Sequence, residues 1–152
     1  MDTSSFSVLA SYYPQAFPSL WTELDSVAVN GTLTSVREVL NELKSSSRAE
    51  FLQTWAESHR SIFAVPDDNE TVAVQEILAI PHFQSVISAK AMMRGSPVAD
   101  PFIVANAMVH DAVVITEESY RENAAKIPNI CEHFDVQCNN LEWFMIQQGW
   151  SF

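Results

Sequence analysis

The chain has 152 residues, of which 47% are hydrophobic, and a formal net charge of −11. This length predicts one domain, residues 1–152, with a single sizeable core. Apolar runs such as residues 102–109 are too short to span a bilayer, and the N-terminus has no basic, apolar signal-peptide pattern, so we expect a soluble cytoplasmic protein. The acidity disfavours nucleic-acid binding unless cations or a basic partner offset it.

Apolar periodicity predicts an α/β chain in which helices alternate with short strands. In chain order the predicted elements are a helix at Pro18–Val29, a strand at Leu33–Val36, helices at Ser47–His59, Asn69–Ile80, Phe83–Met93 and Asp100–His110, strands at Ala112–Thr116 and Val136–Cys138, and a helix at about Asn140–Gln148. A proline separates the predicted helices Asn69–Ile80 and Phe83–Met93, and another proline stands in the first turn of the apolar helix that begins at residue 100. We therefore expect five or six helices around a short, mostly parallel sheet.

Four acidic residues stand where strands end or helices begin. Asp2 precedes the first apolar pair, Glu42 follows the first strand by about a helical turn, Asp100 opens the apolar helix, and Glu118 follows the strand that ends at Thr116. Ligands of parallel α/β sheets gather beyond the carboxyl ends of the strands. Clustered carboxylates repel one another unless a hard cation such as Mg²⁺ or Mn²⁺ lies between them.

Each acid also has an ordinary structural explanation. Asp100 could cap its helix. Glu38 and Glu42 share a helix face that could simply be solvated beside basic neighbours, and Glu117 and Glu118 could occupy the first turn of a helix. Their joint placement, rather than any one of them, favours a metal site, with Glu38 and Glu117 as further candidate ligands.

Four segments carry a resemblance to a known family. They are DTSS at residues 2–5, VLNEL at 39–43, ADPFIVANA at 99–107 and VVITEE at 113–118. In this order they resemble the four acidic motifs of PIN domains, and the chain is similar to VapC-type toxin ribonucleases of bacteria. The segments YYP, FPSLW and KIPNICEHF at residues 126–134 share in the resemblance, which covers nearly the whole chain.

The resemblance implies a three-layer α/β/α PIN-like fold and a Mg²⁺- or Mn²⁺-dependent endoribonuclease that hydrolyses RNA phosphodiester bonds. By position, Asp2, Glu42, Asp100 and Glu118 match the four catalytic, metal-binding acids. Many relatives are toxins of toxin–antitoxin pairs, so a neighbouring antitoxin protein and a homodimer are expected partners. The hydroxyl groups of Thr3, Ser4, Ser5 and Thr116 would then hydrogen-bond the metal-binding carboxylates.

The sequence departs from the family pattern at two of these acids. The fourth acid is usually Asp, and Glu118 is longer by one methylene, which favours a water-mediated contact with the metal. The first acid usually ends a full strand, whereas only Met1 precedes Asp2. Either the start lies further upstream or Asp2 lies on a loosely held terminus. A catalytically decayed PIN-fold binding or regulatory module is therefore the alternative to the nuclease.

Other residues suggest weaker alternatives. Cys131, His133 and Cys138 could bind zinc, but their spacing fits no established pattern, and buried reduced cysteines with a surface histidine fit better. The aromatic segment from Tyr12 to Phe17 could stack on RNA bases, although core packing explains most aromatic residues. The basic candidates for phosphate contact are Arg37, Lys90, Arg94 and Lys126. No serine or cysteine nucleophile with a partnered histidine is indicated.

Overall fold

The computed structural model describes residues 1–45, 49–87 and 98–152, in which short strands alternate with helices. The α-helices of these ranges are α1 (Thr3–Leu9), α2 (Pro18–Val29), α3 (Arg37–Ser45), α4 (Glu50–Ser58), α5 (Asp68–Ala79), α6 (Asp100–His110), α7 (Ile127–His133) and α8 (Leu141–Gln147). The strands are β1 (Ser35–Val36), β2 (Phe63–Ala64), β3 (Val114–Ile115) and β4 (Cys138–Asn139). Two 3₁₀ turns lie at Arg60–Ile62 and Phe83–Ile87.

Both strand pairs are parallel. β1 pairs with β2, with Ser35 opposite Phe63, and β3 pairs with β4, with Val114 opposite Cys138. Parallel strands need crossover connections, and the helices between the paired strands provide them. The predicted mixture of helices and a short parallel sheet is confirmed at this level.

The extended Met1–Asp2 segment lies between the two strand pairs. On one side the amino nitrogen of Met1 donates to the carbonyl of Thr34 at 2.9 Å, and the Ser35 hydroxyl donates to the Met1 carbonyl at 2.7 Å. On the other side the Asp2 amide donates to the carbonyl of Ile115 at 2.9 Å. Met1 and Asp2 are only 7% and 5% exposed. The alternative of a loosely held Asp2 is therefore wrong, because backbone and hydroxyl groups fix this segment on both sides.

The core lies where α1, α4 and β2 meet. Phe6 of α1 is fully buried, and its ring centroid lies 5.9 Å from that of Trp55 and 5.7 Å from that of Phe63. On the other side α5 packs along α6, whose Ile103 and Val104 are buried. Each such side chain stabilises the fold by roughly 2 kcal/mol through removal of apolar surface from water. These contacts hold the strand ends that carry the acidic residues.

Two predicted helices, Pro18–Val29 and Asp100–His110, have the observed bounds of α2 and α6. The predictions Asn69–Ile80 and Asn140–Gln148 are close to α5 and α8. The prediction Ser47–His59 corresponds to α4, although residues 46–48 lie outside the described residues. Of the predicted helix Phe83–Met93, the described part is a 3₁₀ turn, and residues 88–93 lie outside the description.

The predicted number of helices is too low, because eight α-helices occur within the described ranges. The unpredicted α1 and α7 have seven residues each, about two turns, which is too short for a visible apolar repeat. The strands are shorter than predicted, and β2 was not predicted because two residues make no alternating pattern. No helix in the described ranges is long and apolar enough to cross a bilayer.

Candidate carboxylate site

Asp2 is the N-cap of α1, and its carboxylate accepts hydrogen bonds from three donor groups. Its Oδ1 accepts hydrogen bonds from the Ser5 amide at 3.0 Å and the Ser4 hydroxyl at 2.9 Å. Its Oδ2 accepts from the Ser4 hydroxyl and from the Thr116 hydroxyl, both at 2.9 Å. Burial raises the pKa of Asp2, and these hydrogen bonds oppose the rise. The predicted hydroxyl contacts to the first acid are therefore present.

Glu42 extends from α3 to the start of α6. Its Oε1 accepts a hydrogen bond from the Ala99 amide at 3.1 Å, and its Oε2 accepts one from the Thr3 hydroxyl. Burial raises the pKa of Glu42, and the charges of Asp2 and Glu38 raise it further. Glu42 therefore binds a free backbone amide next to Asp100 and also lies within reach of two other carboxylates.

Asp100 is the first residue of α6, not its cap. The N-cap is Ala99, which makes no side-chain capping bond. The explanation of Asp100 as a helix cap is therefore wrong, because the chain places the preceding residue at that position. A capping role therefore does not explain why residue 100 is an acidic residue.

The charges around Asp100 come from widely separated parts of the sequence. Burial raises the pKa of Asp100 to about 7, and the carboxylates of Glu118, Glu42 and Asp2 add to the rise, in that order. Lys126 opposes the rise. The fold thus brings the four acids of the predicted constellation, which we call the acid cluster (Asp2, Glu42, Asp100 and Glu118), close enough to interact electrostatically.

Glu38 adds a buried oxygen beside the acid cluster. Glu38 is 3% exposed, and its Oε1 lies 2.8 Å from Nη2 of Arg37. Its Oε2 is buried and has no hydrogen-bond partner among the described residues. A buried carboxylate oxygen without a donor is costly, so this atom is available to a cation. Of the two further candidate ligands, Glu38 and Glu117, Glu38 is the one whose charge raises the pKa of Glu42.

Glu118 caps the helix that follows it. Its Oε2 accepts a hydrogen bond from the Ile127 amide at 3.1 Å, in the first turn of α7, and its Oε1 accepts one from Lys126 Nζ at 3.3 Å. The Glu118 amide donates to the Thr116 hydroxyl at 3.1 Å. Thr116 therefore connects the first and the last acid of the cluster.

Glu117 engages a different helix. Its Oε1 accepts hydrogen bonds from the Leu141 amide at 2.8 Å, at the start of α8, and from the Ser5 hydroxyl at 3.3 Å. The Glu117 side chain is not among the charges that shift Asp100. Its predicted role as a further metal ligand stays a prediction, and the structure gives it a capping contact instead.

Within the described residues, the structure does not bring three or more side chains of the acid cluster within 4.8 Å of one another. Among the described residues, the group of potential ligands whose atoms all lie within 4.8 Å of one another consists of Asp67, Glu70 and His110 instead. The negatively charged carboxylates repel one another, which favours this separation. Where a cluster oxygen has a neighbouring donor, a hydrogen bond holds it in place. Magnesium sites commonly keep several waters, and two-ion sites span a longer distance, so direct contact among the acids is not required.

The Asp67 group was not predicted, although its pattern is visible in the sequence. Asp67 and Glu70 form a capping box at the start of α5, in which each side chain accepts the other's backbone amide, at 2.8 and 2.9 Å. The Oε1 atom of Glu70 also contacts Asn106 Nδ2 and, at 3.0 Å, His110 Nε2. The pattern Asp-x-x-Glu before an apolar run predicts such a cap. These bonds fix α5 to α6 and already use the oxygens of Glu70.

The zinc alternative for the cysteines gains no support from the geometry. Cys131 is buried and Cys138 half-buried, and both are reduced. His133 is exposed and packs its ring against Phe83, at a centroid distance of 5.4 Å. The three side chains form no ligand group of the kind defined above within the described ranges.

Two predicted basic residues lie at the acid cluster, since Arg37 pairs with Glu38 and Lys126 with Glu118. The other two, Lys90 and Arg94, lie outside the described residues.

The aromatic residues of this segment lie at the surface, since Tyr12, Tyr13 and Phe17 are all exposed, and core packing does not explain them. Tyr13 is 65% exposed, although its ring lies 5.8 Å from that of Phe51. Tyr12 and Phe17 form an edge-on pair at 5.2 Å, and the Tyr12 carbonyl accepts a hydrogen bond from the indole of Trp21 at 2.6 Å. Trp21 itself is buried. Stacking on RNA bases by Tyr13 stays a prediction.

A comparison with protein families gave a match. A family model described as a domain of unknown function, DUF4411, matches residues 1–152. Comparison with curated proteins and with solved structures gave no match. The matched range includes every acidic residue of the cluster.

Proposed function

This chain belongs to the DUF4411 family, and we propose that it is a divalent-metal-dependent endoribonuclease with a three-layer α/β/α, PIN-like fold. The observation that carries the proposal is the convergence of Asp2, Glu42 and Glu118 on Asp100, from four separate segments. Glu38, beside Glu42, has a buried oxygen without a hydrogen-bond partner among the described residues, which is a second observation that favours cation binding here. A metal site is the simplest arrangement that satisfies both observations.

The topology supports the fold part of the proposal. The Met1–Asp2 segment hydrogen-bonds to the β1 side and to β3, which gives the lateral order β2, β1, Met1–Asp2, β3, β4. In this order Asp2 lies beside β3, whose end leads to Glu118, and β1 leads into α3, which carries Glu42. This arrangement is compatible with the short, mostly parallel central sheet that the PIN resemblance implies.

The oxygen-only donor set suits Mg²⁺ or Mn²⁺. Asp2, Glu42 and Asp100 would hold the ion, and Glu118 would orient the attacking water. When bound, the ion supplies Lewis acidity toward a phosphate oxygen and a water of lowered pKa. The hydroxyls of Thr3 and Thr116 keep Glu42 and Asp2 in place.

The positive side chains near the acids are suited to the phosphate backbone of RNA. Arg37 is half exposed and Lys126 about one-third exposed, so each can reach a phosphate without leaving its carboxylate partner entirely. With a net charge of −11 the rest of the surface repels RNA, so binding would depend on the metal and on these two cations.

The biological role that we propose is the toxin component of a toxin–antitoxin pair in the cytoplasm. The resemblance to VapC-type ribonucleases supports this role, with RNA as substrate, an antitoxin encoded nearby and a possible homodimer as partners. A basic antitoxin segment would offset the acidic surface.

The test is cleavage of structured RNA by the purified full chain with and without Mn²⁺. We expect metal-dependent cleavage by the wild type, loss of cleavage in Asp100→Asn, and unchanged cleavage in the matched variant Asp111→Asn. Asp111 is an exposed aspartate at the other end of α6. Absence of cleavage at enzyme excess, or cleavage that persists in Asp100→Asn, would contradict the proposal.

A second candidate is a PIN-fold binding or regulatory module with a decayed active site. It is favoured by one observation, that both oxygens of Glu118 are occupied by Lys126 and the Ile127 amide. Calorimetric titration with Mn²⁺ separates the candidates. An active site should bind Mn²⁺ in the micromolar to millimolar range, whereas a decayed site should show no binding that depends on Asp100.

A further inference from the structure

A cavity of about 860 Å³ opens beside the acid cluster. Thr116 and Glu118 form one part of its wall, and Cys131, Cys138 and Trp143 form another. These are the only two cysteines in the sequence. Two thiols from different elements thus face the same solvent-filled space next to an acid of the proposed site.

The local backbone explains why the thiols meet. Cys131 lies in the last turns of α7, and Cys138 begins β4. Between them the chain reverses through Asp135, which adopts a left-handed conformation with φ of 54°, and the Val136 amide donates to the Cys131 carbonyl at 2.9 Å. This turn joins α7 directly to β4, and the side chains of both cysteines line the cavity.

The two thiols differ in their exposure and interact directly. Cys131 is only 1% exposed, whereas Cys138 is half-buried and more accessible from the cavity. A hydrogen bond between them raises the pKa of Cys131 and lowers that of Cys138. The carboxylates of Asp2 and Glu118 oppose the lowering at Cys138. Cys138 is nevertheless the more accessible thiol for a reagent that enters the cavity, so we expect it to react first.

We infer that Cys131 and Cys138 form a redox-sensitive dithiol that a peroxide converts reversibly into an intramolecular disulfide. The Cys138 thiolate attacks one oxygen of hydrogen peroxide, the O–O bond breaks, and the products are a Cys138 sulfenic acid and hydroxide, which takes up a proton to give water. The Cys131 sulfur then attacks the sulfenic sulfur, forms the S–S bond and releases a second water. Two thiols are oxidised, and one peroxide is reduced to two waters.

The modification would act on the wall of the cavity that contains Glu118. Glu118 binds the Ile127 amide at the start of α7, and Cys131 belongs to the same helix. A disulfide would fasten α7 to β4, whose neighbour β3 leads directly to Thr116 and Glu118. The inference does not depend on the proposed nuclease, since it concerns the thiols alone.

The test uses the full chain, first reduced with dithiothreitol and then exposed to increasing hydrogen peroxide. Remaining thiols are alkylated with N-ethylmaleimide, and intact mass and non-reducing electrophoresis are recorded. We expect a monomer that has lost two hydrogen atoms and takes up no N-ethylmaleimide, and recovery of both alkylation sites after renewed reduction. Uptake of two N-ethylmaleimide groups after peroxide, or disulfide-linked dimers as the main product, would overturn the inference.

Single serine variants test the order of the two steps. In Cys131→Ser, peroxide should leave Cys138 as a sulfenic acid that dimedone traps. In Cys138→Ser, the buried Cys131 should stay reduced at the same peroxide concentration. Equal dimedone labelling of the two variants would contradict the assignment of Cys138 as the attacking thiol, and the wild-type mass measurement stands even if a variant fails to fold.

Discussion

Thr116 donates a hydrogen bond of 2.9 Å to Asp2, although 114 positions separate them in the sequence. The same hydroxyl oxygen accepts the amide of Glu118 at 3.1 Å. One buried threonine therefore positions both the first and the last acid of the cluster.

Replacing Thr116 by valine keeps the volume but removes the hydroxyl. Asp2 would lose a donor and the Glu118 amide an acceptor, so we expect a loss of about 2 kcal/mol in the free energy of unfolding. Mn²⁺ affinity should fall by about tenfold, as for other side chains that orient metal ligands. Urea denaturation and calorimetry measure the two effects.

The control for this prediction is Thr22→Val. Thr22 is exposed on α2 and donates only to the Pro18 carbonyl, one turn earlier. Its removal should change the free energy of unfolding by no more than about 0.5 kcal/mol and leave Mn²⁺ affinity unchanged. Equal effects of the two substitutions would show that Thr116 has no special role.

Asp100 should make stability depend on pH in an unusual direction. Its pKa is raised from 3.8 to about 7 in the folded chain, so the folded state holds a proton that the unfolded state releases between these values. The stability contributed by protonated Asp100 is fully present below about pH 4 and is lost as the pH rises through about 7. Asp100→Asn, which cannot ionise, should therefore be more stable than the wild type at pH 8, by roughly 2 kcal/mol, and equally stable near pH 4.

Urea denaturation of both chains across this pH range gives the difference. The variant Asp111→Asn, at the other end of α6, should follow the wild type at every pH. Added Mn²⁺ should stabilise the wild type at pH 8 and leave Asp100→Asn unaffected, because binding to the folded state alone raises its stability. A difference that shrinks as the pH rises would contradict the assigned shift.

Glu42 should separate the structural role of a carboxylate from its metal-binding role. In Glu42→Gln the amide oxygen can still accept the Ala99 amide, and the amide group can still meet the Thr3 hydroxyl, so the free energy of unfolding should change by less than about 1 kcal/mol. In Glu42→Ala both contacts are lost, which should cost about 1–2 kcal/mol.

Both Glu42 substitutions should weaken Mn²⁺ binding by tenfold or more, because both remove the charge. Calorimetric titration of the two variants beside urea denaturation checks this combination. Normal Mn²⁺ affinity in a folded Glu42→Gln would remove Glu42 from the proposed metal site.

Substitutions in the Asp67 group (Asp67, Glu70 and His110) should leave Mn²⁺ affinity unchanged, in contrast to the substitutions of Glu42. Glu70 is 3% exposed and its oxygens accept from Asp67, Asn106 and His110. Glu70→Gln should therefore destabilise the fold by about 1–3 kcal/mol while Mn²⁺ affinity stays normal. His110→Ala, at a half-exposed side chain, should also keep Mn²⁺ affinity unchanged. Loss of Mn²⁺ binding in either variant would move the proposed site to the α5–α6 contact.

The sequence predicts best where one segment determines its own structure. The bounds of the helix Asp100–His110 are predicted correctly because a proline stands in its first turn and an apolar run fills it. Asp2 and Asp100 stand at helix starts, Glu118 follows β3, and Glu42 lies in α3, which follows β1, so their electrostatic proximity could be predicted from the order of elements.

The remaining features depend on contacts between distant segments. Hydrogen bonds with Thr34, Ser35 and Ile115 fix Met1 and Asp2 in place, and no pattern in the first few residues predicts these bonds.

The capping contacts of the acids were equally invisible in the sequence. Glu42, Glu117 and Glu118 bind the amides of Ala99, Leu141 and Ile127, respectively. A local sequence pattern predicts a cap when the capping residue and its helix belong to one segment. These caps cannot be predicted in this way because each joins two segments.

The shortness of the outer strands limits how copies of this chain can associate. β2 and β4 lie at the two sides of the parallel arrangement, and each has only two residues. An edge strand of this length has too few unpaired amide and carbonyl groups to pair with a strand of another molecule, which protects against fibril-like growth. Among the described elements, the helices rather than these strands therefore offer the surface for association of two copies, and such a contact would be governed by side chains rather than by backbone pairing.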